Sequence, residues 1–102
     1  MAENRQPLAD DEITRRLSAL NGWERDGDKI RKVFSLDSYL AGIAFASAVG
    51  VIAEGMDHHP DMLIGWRKVT VSVNTHSSGN KITPTDFQLA EAIEGLGYPS
   101  AS

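Results

Sequence analysis

Three histidines fall within one stretch of this sequence: His58 and His59 side by side, and His76 further on. Asp57 precedes the pair, Glu54 stands one helical turn before it, Pro60 follows it, and Trp66 and Asp86 come after. Imidazole gains and loses a proton near neutral pH, and a carboxylate beside it fixes its tautomer, so the set suits general acid–base chemistry. Three histidines and a carboxylate could equally bind zinc. Neighbouring side chains of an extended segment diverge, however, and Pro60 biases His59 toward that backbone, which counts against one shared ion. Each residue also has a plain structural reading. His58 and His59 can be loop residues, Glu54 can end an uncharged helix, and Asp86 can be a capping acid following Thr83. Trp66 and Trp23 can belong to a hairpin or the core. Cysteine is absent, which removes thiolate nucleophiles, disulfides and Cys-ligated zinc.

These residues need elements to hold them. Residues 1–7 are polar and read as a flexible tail, with one domain over 8–102. Ala9, Ile13, Leu17 and Leu20 share one helical face, and Asn21-Gly22 is the expected stop. Asp26-Gly27 favours a tight turn between strands around Trp23–Arg25 and Lys29–Phe34. Asp37 is the expected cap of a second helix running to about Gly55. Phe45, Ala48, Val49, Ile52 and Met56 form one apolar stripe on it; Leu40, Ile43, Ala44 and Val51 form another. No charge interrupts residues 38–53. A helix apolar on most of its circumference is covered on more than one side, so a sheet on one side and a second subunit on the other are expected. Met62–Ile64 and the alternating Val69, Val71 and Val73 read as two more strands around a bend at Gly65–Arg67. Thr83-Pro84 opens a last helix with Leu89, Ala92, Ile93 and Leu96 inward, ended by Gly95 and Gly97. The expected fold is α+β: a four-stranded antiparallel sheet with three helices packed on one face, in the order helix-strand-strand-helix-strand-strand-helix.

Over 102 residues the formal net charge is −4, and the basic residues are scattered or paired, as at Arg31-Lys32 and Arg67-Lys68. Direct nucleic-acid binding is therefore not expected. The polar, acidic N-terminus shows no signal-peptide core, and the run 38–53 is short and rich in Ala, Ser and Gly for a bilayer span. A cytoplasmic protein without membrane contact is expected.

The spacing Glu54, His58-His59-Pro60, Trp66, His76, Asp86 resembles the signature of the pterin-4a-carbinolamine dehydratase family. Gly22-Trp23, Asp57 ahead of the histidines, and Thr75-His76 leading into Thr83 and Asp86-Phe87 agree with it over nearly the whole chain. The resemblance implies dehydration of a 4a-hydroxy-tetrahydropterin to a quinonoid dihydropterin, as used in recycling tetrahydrobiopterin for aromatic amino-acid hydroxylases. It implies His58, His59 and His76 as catalytic residues. His58 and His76 would transfer protons and His59 would hold the substrate. Glu54, Asp57, Trp66, Thr75 and Asp86 would support the catalysts or bind substrate, with no metal and no cofactor. It also implies a homodimer or homotetramer. In animals the family doubles as a dimerisation cofactor of a homeodomain transcription factor, so a protein-binding module is the alternative. Met62 departs from the pattern, standing where an aromatic residue is common. Thr85 stands where an Arg can occur, and the loop Ser77–Lys81 is about one residue longer. These departures fall on substrate grip rather than on the acid–base set.

Overall fold

The computed structural model describes residues 5–99. In chain order it contains α1 (Asp10–Leu17), β1 (Glu24–Asp26), β2 (Lys29–Ser35), α2 (Tyr39–Met56), β3 (Asp61–Gly65), β4 (Lys68–Val73) and α3 (Pro84–Glu94). The strands form one antiparallel sheet in the order β1-β2-β4-β3. Opposite residues of antiparallel strands share a face. Ile30 pairs with Val73, Lys32 with Val71, and Phe34 with Val69, so the alternation read in the sequence turns Ile30, Phe34 and all three valines toward the helices. Arg31, Val33, Ser35, Thr70 and Ser72 line the other face, and the helices occupy only the first. The two strands of the first hairpin meet at Asp26 and Lys29 across Gly27, which takes φ 61°. That positive φ costs glycine nothing.

Each helix start and stop has a local cause. Acidic Asp10, Asp11 and Glu12 open α1, and Arg15 and Arg16 close it, matching the helix dipole. It ends at Leu17 rather than at Asn21-Gly22. Two further turns, Ala19 N–H to Arg16 and Leu20 N–H to Leu17, carry the chain to Gly22 at φ 84°. Of the expected face, Ile13 is buried and Leu17 and Leu20 pack against the core. Ala9 is exposed, and Leu8 takes the inward place. For α2 the cap is Ser38, not Asp37: Ser38 has extended backbone, and its hydroxyl accepts from Ala41 N–H at 3.0 Å. Asp37 precedes the cap position.

The two stripes of α2 separate as their spacing implies. Phe45 and Val49 are buried, while Leu40 and Val51 are 75% and 73% exposed. Phe34 sits between Trp23 and Phe45, with ring centroids 6.1 Å and 4.6 Å away. The helix continues to Met56, past the uncharged run, and by length and composition alone is apolar enough to cross a membrane. Its buried residues Gly42, Phe45, Ala46, Val49 and Ala53 are instead seated within the domain. In α3, Leu89 and Ile93 are buried and Ala92 is half-buried. Leu96 lies beyond the last turn and is exposed. Each fully buried Phe, Ile, Leu or Val contributes about 1.5–3 kcal/mol, so the valines of β4 and the aromatic stack dominate the hold of α2 on the sheet.

Assigning the cap to Ser38 has a measurable consequence. Ser38→Ala should lower unfolding free energy by about 1 kcal/mol, whereas Asp37→Ala should change it much less. Urea denaturation of the two variants checks this, and equal losses would contradict the assignment.

Candidate active site

The site forms where α2 ends, β4 ends and α3 begins. Asp57 closes α2 in the left-handed conformation, φ 51° and ψ 44°. His58 N–H bonds the Ala53 carbonyl at 3.0 Å and Asp57 N–H bonds that of Glu54 at 3.2 Å. This double bond is the Schellman arrangement, in which glycine usually takes the left-handed position. The reversal sends His58 inward, where it is 5% exposed, and leaves His59 exposed.

His58 Nε2 lies 2.6 Å from Asp86 Oδ1, and Asp86 is wholly buried. The other carboxylate oxygen, Oδ2, accepts Thr83 N–H at 2.8 Å and the Thr75 hydroxyl at 3.0 Å. The Thr83 N–H bond is one half of the capping box of α3. The reciprocal half runs from Asp86 N–H to the Thr83 hydroxyl, and the same N–H also bonds the Thr83 carbonyl at 3.1 Å. The Thr75 and Thr83 hydroxyl oxygens are 2.7 Å apart. Each hydroxyl has one proton. Thr75 gives its own to Asp86, so Thr83 is the donor to Thr75. With two donors on Oδ2, Oδ1 is left as the acceptor for His58, which presents Nε2–H to it. Nδ1 of His58 has no protein partner. Arg31 Nε, facing Glu24 at 3.1 Å without hydrogen-bond geometry, is the one buried side-chain polar atom lacking a hydrogen bond among the described residues. Among the described residues Nδ1 is therefore not enclosed.

His58 borders a cavity of about 490 Å³, with Arg5, Asp57, His59, Asn74, His76 and Ser77 as its other walls. His59 Nε2 contacts Glu54 Oε1 at 2.7 Å on the surface. His76 opens a short 3₁₀ turn after β4 and is exposed. That turn is held by Thr75 N–H to Lys81 O at 2.9 Å and by Asn74 Nδ2 to Asn80 O at 3.1 Å.

The three histidines and Asp57 thus share one cavity. Asp86 and Thr75 stand behind His58, and Glu54 stands behind His59. Trp66 is not brought to them. It is 74% exposed at the turn joining β3 to β4, against Arg67, whereas the cavity lies beyond the opposite end of that hairpin. Five strand residues at about 3.3 Å each put some ~15 Å between them. Sequence reasoning missed Arg5, Asn74 and Ser77 as wall residues and Thr83 as a partner in the hydrogen-bond array. The unbroken polar run Asn74–Ser78 after alternating valines was a usable signal for two of them. Arg5 falls in the segment read as a tail; residues 1–4 and 100–102 lie outside the described residues.

A family model described as pterin 4 alpha carbinolamine dehydratase matches residues 6–96. The chain belongs to the pterin-4a-carbinolamine dehydratase family. A Natronomonas pharaonis protein bearing that dehydratase's name is 51% identical over 89 residues, covering 87% of this chain and 94% of its own length. A Roseiflexus sp. protein of the same name is 49% identical over 89 residues, with coverage of 87% and 95%. Among solved structures, a transcriptional coactivator/pterin dehydratase from Brucella melitensis superposes with a TM-score of 0.83 at 27% identity, over 89% of this chain and 98% of its own. The family bearing this name is one of hydro-lyases, as the resemblance implied.

Asp57 gives a test of what the site costs. A left-handed non-glycine residue is strained, and Asp tolerates it only partly. Asp57→Gly should raise stability by about 0.5–1 kcal/mol while removing a carboxylate from the cavity wall. A lower urea midpoint for the variant would show that the Asp57 side chain stabilises the fold.

Proposed function

We propose that this protein dehydrates a 4a-hydroxy-tetrahydropterin to a quinonoid dihydropterin. The observation that carries the reading is the buried His58–Asp86–Thr75–Thr83 array bordering, through His58, a cavity shared with His59 and His76, in a chain of this family. In the reaction the C4a–O bond breaks, with an acid protonating the departing hydroxide to water. A base removes the proton of the adjacent ring nitrogen as the C=N bond forms. One proton is delivered and one removed, so no net proton or electron is exchanged. His58, anchored by Asp86 through Nε2, and His76, on a separate wall, are suited to the two transfers. His59, steadied by Glu54, is suited to holding the flat ring. A module that only bound proteins would gain nothing from an imidazole anchored on a buried carboxylate at the edge of a cavity. The physiological setting we infer is recycling of tetrahydrobiopterin in the cytoplasm, alongside an aromatic amino-acid hydroxylase.

We also infer a homo-oligomer, dimer or tetramer. Its support is the outward stripe of α2, where Leu40 and Val51 are exposed beside Ser47, Gly50 and Gly55 on a helix without charge before Glu54. Val51→Glu should lower the assembly state measured by light scattering. A stable monomer for the unaltered protein at micromolar concentration would refute it.

Steady-state kinetics test the chemistry. His58→Ala and His76→Ala should lower kcat by on the order of 10²–10⁴-fold, nearer the low end because the reaction also proceeds unaided. His59→Ala should act mainly on KM. Asp86→Asn is the sharpest variant. Its amide oxygen can still accept from Thr83 and Thr75, but its NH₂ would face Nε2 and force the proton to Nδ1. Turnover should collapse while the fold survives, and ¹⁵N imidazole shifts should report the exchanged tautomer. Full activity in Asp86→Asn, or in a His58/His76 double variant, would remove the basis of the mechanism.

A further inference from the structure

Thr75 and Thr83 are wholly buried, as is Asp86. A buried hydroxyl costs free energy unless it is hydrogen-bonded, and these two are bonded in a circuit that starts and ends on Asp86. Asp86 N–H donates to the Thr83 hydroxyl oxygen. Thr83 Oγ1 lies 2.7 Å from Thr75 Oγ1, and the Thr75 hydroxyl donates to Asp86 Oδ2 at 3.0 Å. Both ends of the circuit have fixed polarity, because a backbone N–H only donates and an ionised carboxylate only accepts. Between them the hydroxyl protons point one way, from Thr83 to Thr75 to Asp86. Capping a helix uses only the oxygen of such a threonine. The proton of Thr83 is engaged elsewhere, on Thr75, away from solvent.

The effect of that proton is felt at His58. Thr75 receives a donor from Thr83, so its own proton is committed to Asp86. Oδ2 then carries two donors, the Thr75 hydroxyl and Thr83 N–H, and the carboxylate is held against turning to exchange its oxygens. Oδ1 is thereby kept 2.6 Å from His58 Nε2, with the proton on Nε2 and Nδ1 as the basic nitrogen. We propose that Thr83 is a positioning residue for the reaction, acting on the His58 imidazole through Thr75 and Asp86. For its kinetic consequence the proposal rests on the dehydratase reading, and it adds to that reading a residue that forms no part of the cavity wall.

The test combines dehydration kinetics on a 4a-hydroxy-tetrahydropterin with NMR of the full-length protein free of substrate. Thr83→Val should lower kcat about two- to tenfold, the range one hydrogen bond accounts for, and change KM little. Thr83→Ser, which keeps both oxygen and proton, should restore kcat. In a Thr75→Val background the link is already cut, so adding Thr83→Val should lower kcat no further. The Nε2–H resonance of His58 should move upfield in Thr83→Val, as its contact with Asp86 lengthens, and stay in place in Thr83→Ser. A residue that only capped α3 would lower the urea midpoint when replaced and leave kcat and this resonance unmoved. That result overturns the proposal, as does an equal loss of kcat in both backgrounds. Should Thr83→Val not fold, the unaltered protein decides. Nuclear Overhauser contacts must then place the Thr83 hydroxyl proton against Thr75 and the Thr75 proton away from Thr83, and the reverse order overturns the proposal. Absence of turnover in the unaltered protein refutes the dehydratase reading, and the imidazole resonance and the hydroxyl order then judge Thr83 by themselves.

Discussion

The 2.6 Å contact between His58 and Asp86 is the constraint on which the rest of the structure depends. A carboxylate with no solvent exposure is expensive to bury unless its oxygens are hydrogen-bonded. Here they are bonded to three different parts of the chain: the turn after α2 through His58, the end of β4 through Thr75, and the start of α3 through Thr83. Satisfying one carboxylate therefore fixes how three elements meet. The Schellman turn at Asp57 and the Thr75–Lys81 bridge are the local devices that bring the partners within reach.

Much of this was legible in the sequence because it is written in periodicity and in pairs of residues close along the chain. The period-2 valines of β4, the Asp-Gly turn and Thr83-Pro84 with Asp86 each act over a few residues. They placed four strands, three helices and the start of α3 correctly. The grouping of His58, His59, His76 and Asp86 was legible through their joint spacing. What was not legible depends on tertiary geometry. Nothing local says that Trp66 belongs to the far end of a hairpin, or that Arg5 folds back onto the loop of His76. Asp37 and Ser38 are both good capping residues, and only the entry of the chain into α2 decides between them. Asp57 follows Gly55, the more usual stop signal, so its role in ending α2 was hidden.

The two faces of α2 show a related division. The face carrying Phe45, Val49 and Ala53 is consumed by the sheet, and Gly42 is buried on the same side against Val69. The opposite face, with Leu40 and Val51, adds nothing to this core. Glu54 stands on that outward surface, among the residues beside Val51, yet its carboxylate reaches His59. Any covering of α2 would thus be felt at one wall of the cavity through a single side-chain contact.

A domain of this size has little core to spare for a separate layer of supporting residues. It meets the need for a precisely held imidazole by giving structural groups a second task. Asp86 caps α3 with one oxygen and orients His58 with the other. Thr75 closes the loop after β4 with its backbone and directs Asp86 with its hydroxyl. The economy carries a consequence for reading variants. Removing Asp86 altogether would strip the cap and leave His58 buried beside an empty space, so lost activity would report unfolding as readily as chemistry. Only substitutions that keep the hydrogen-bond geometry while changing which atom bears the proton can separate the two tasks, because in this fold the stabilising array and the orienting array are carried by the same residues.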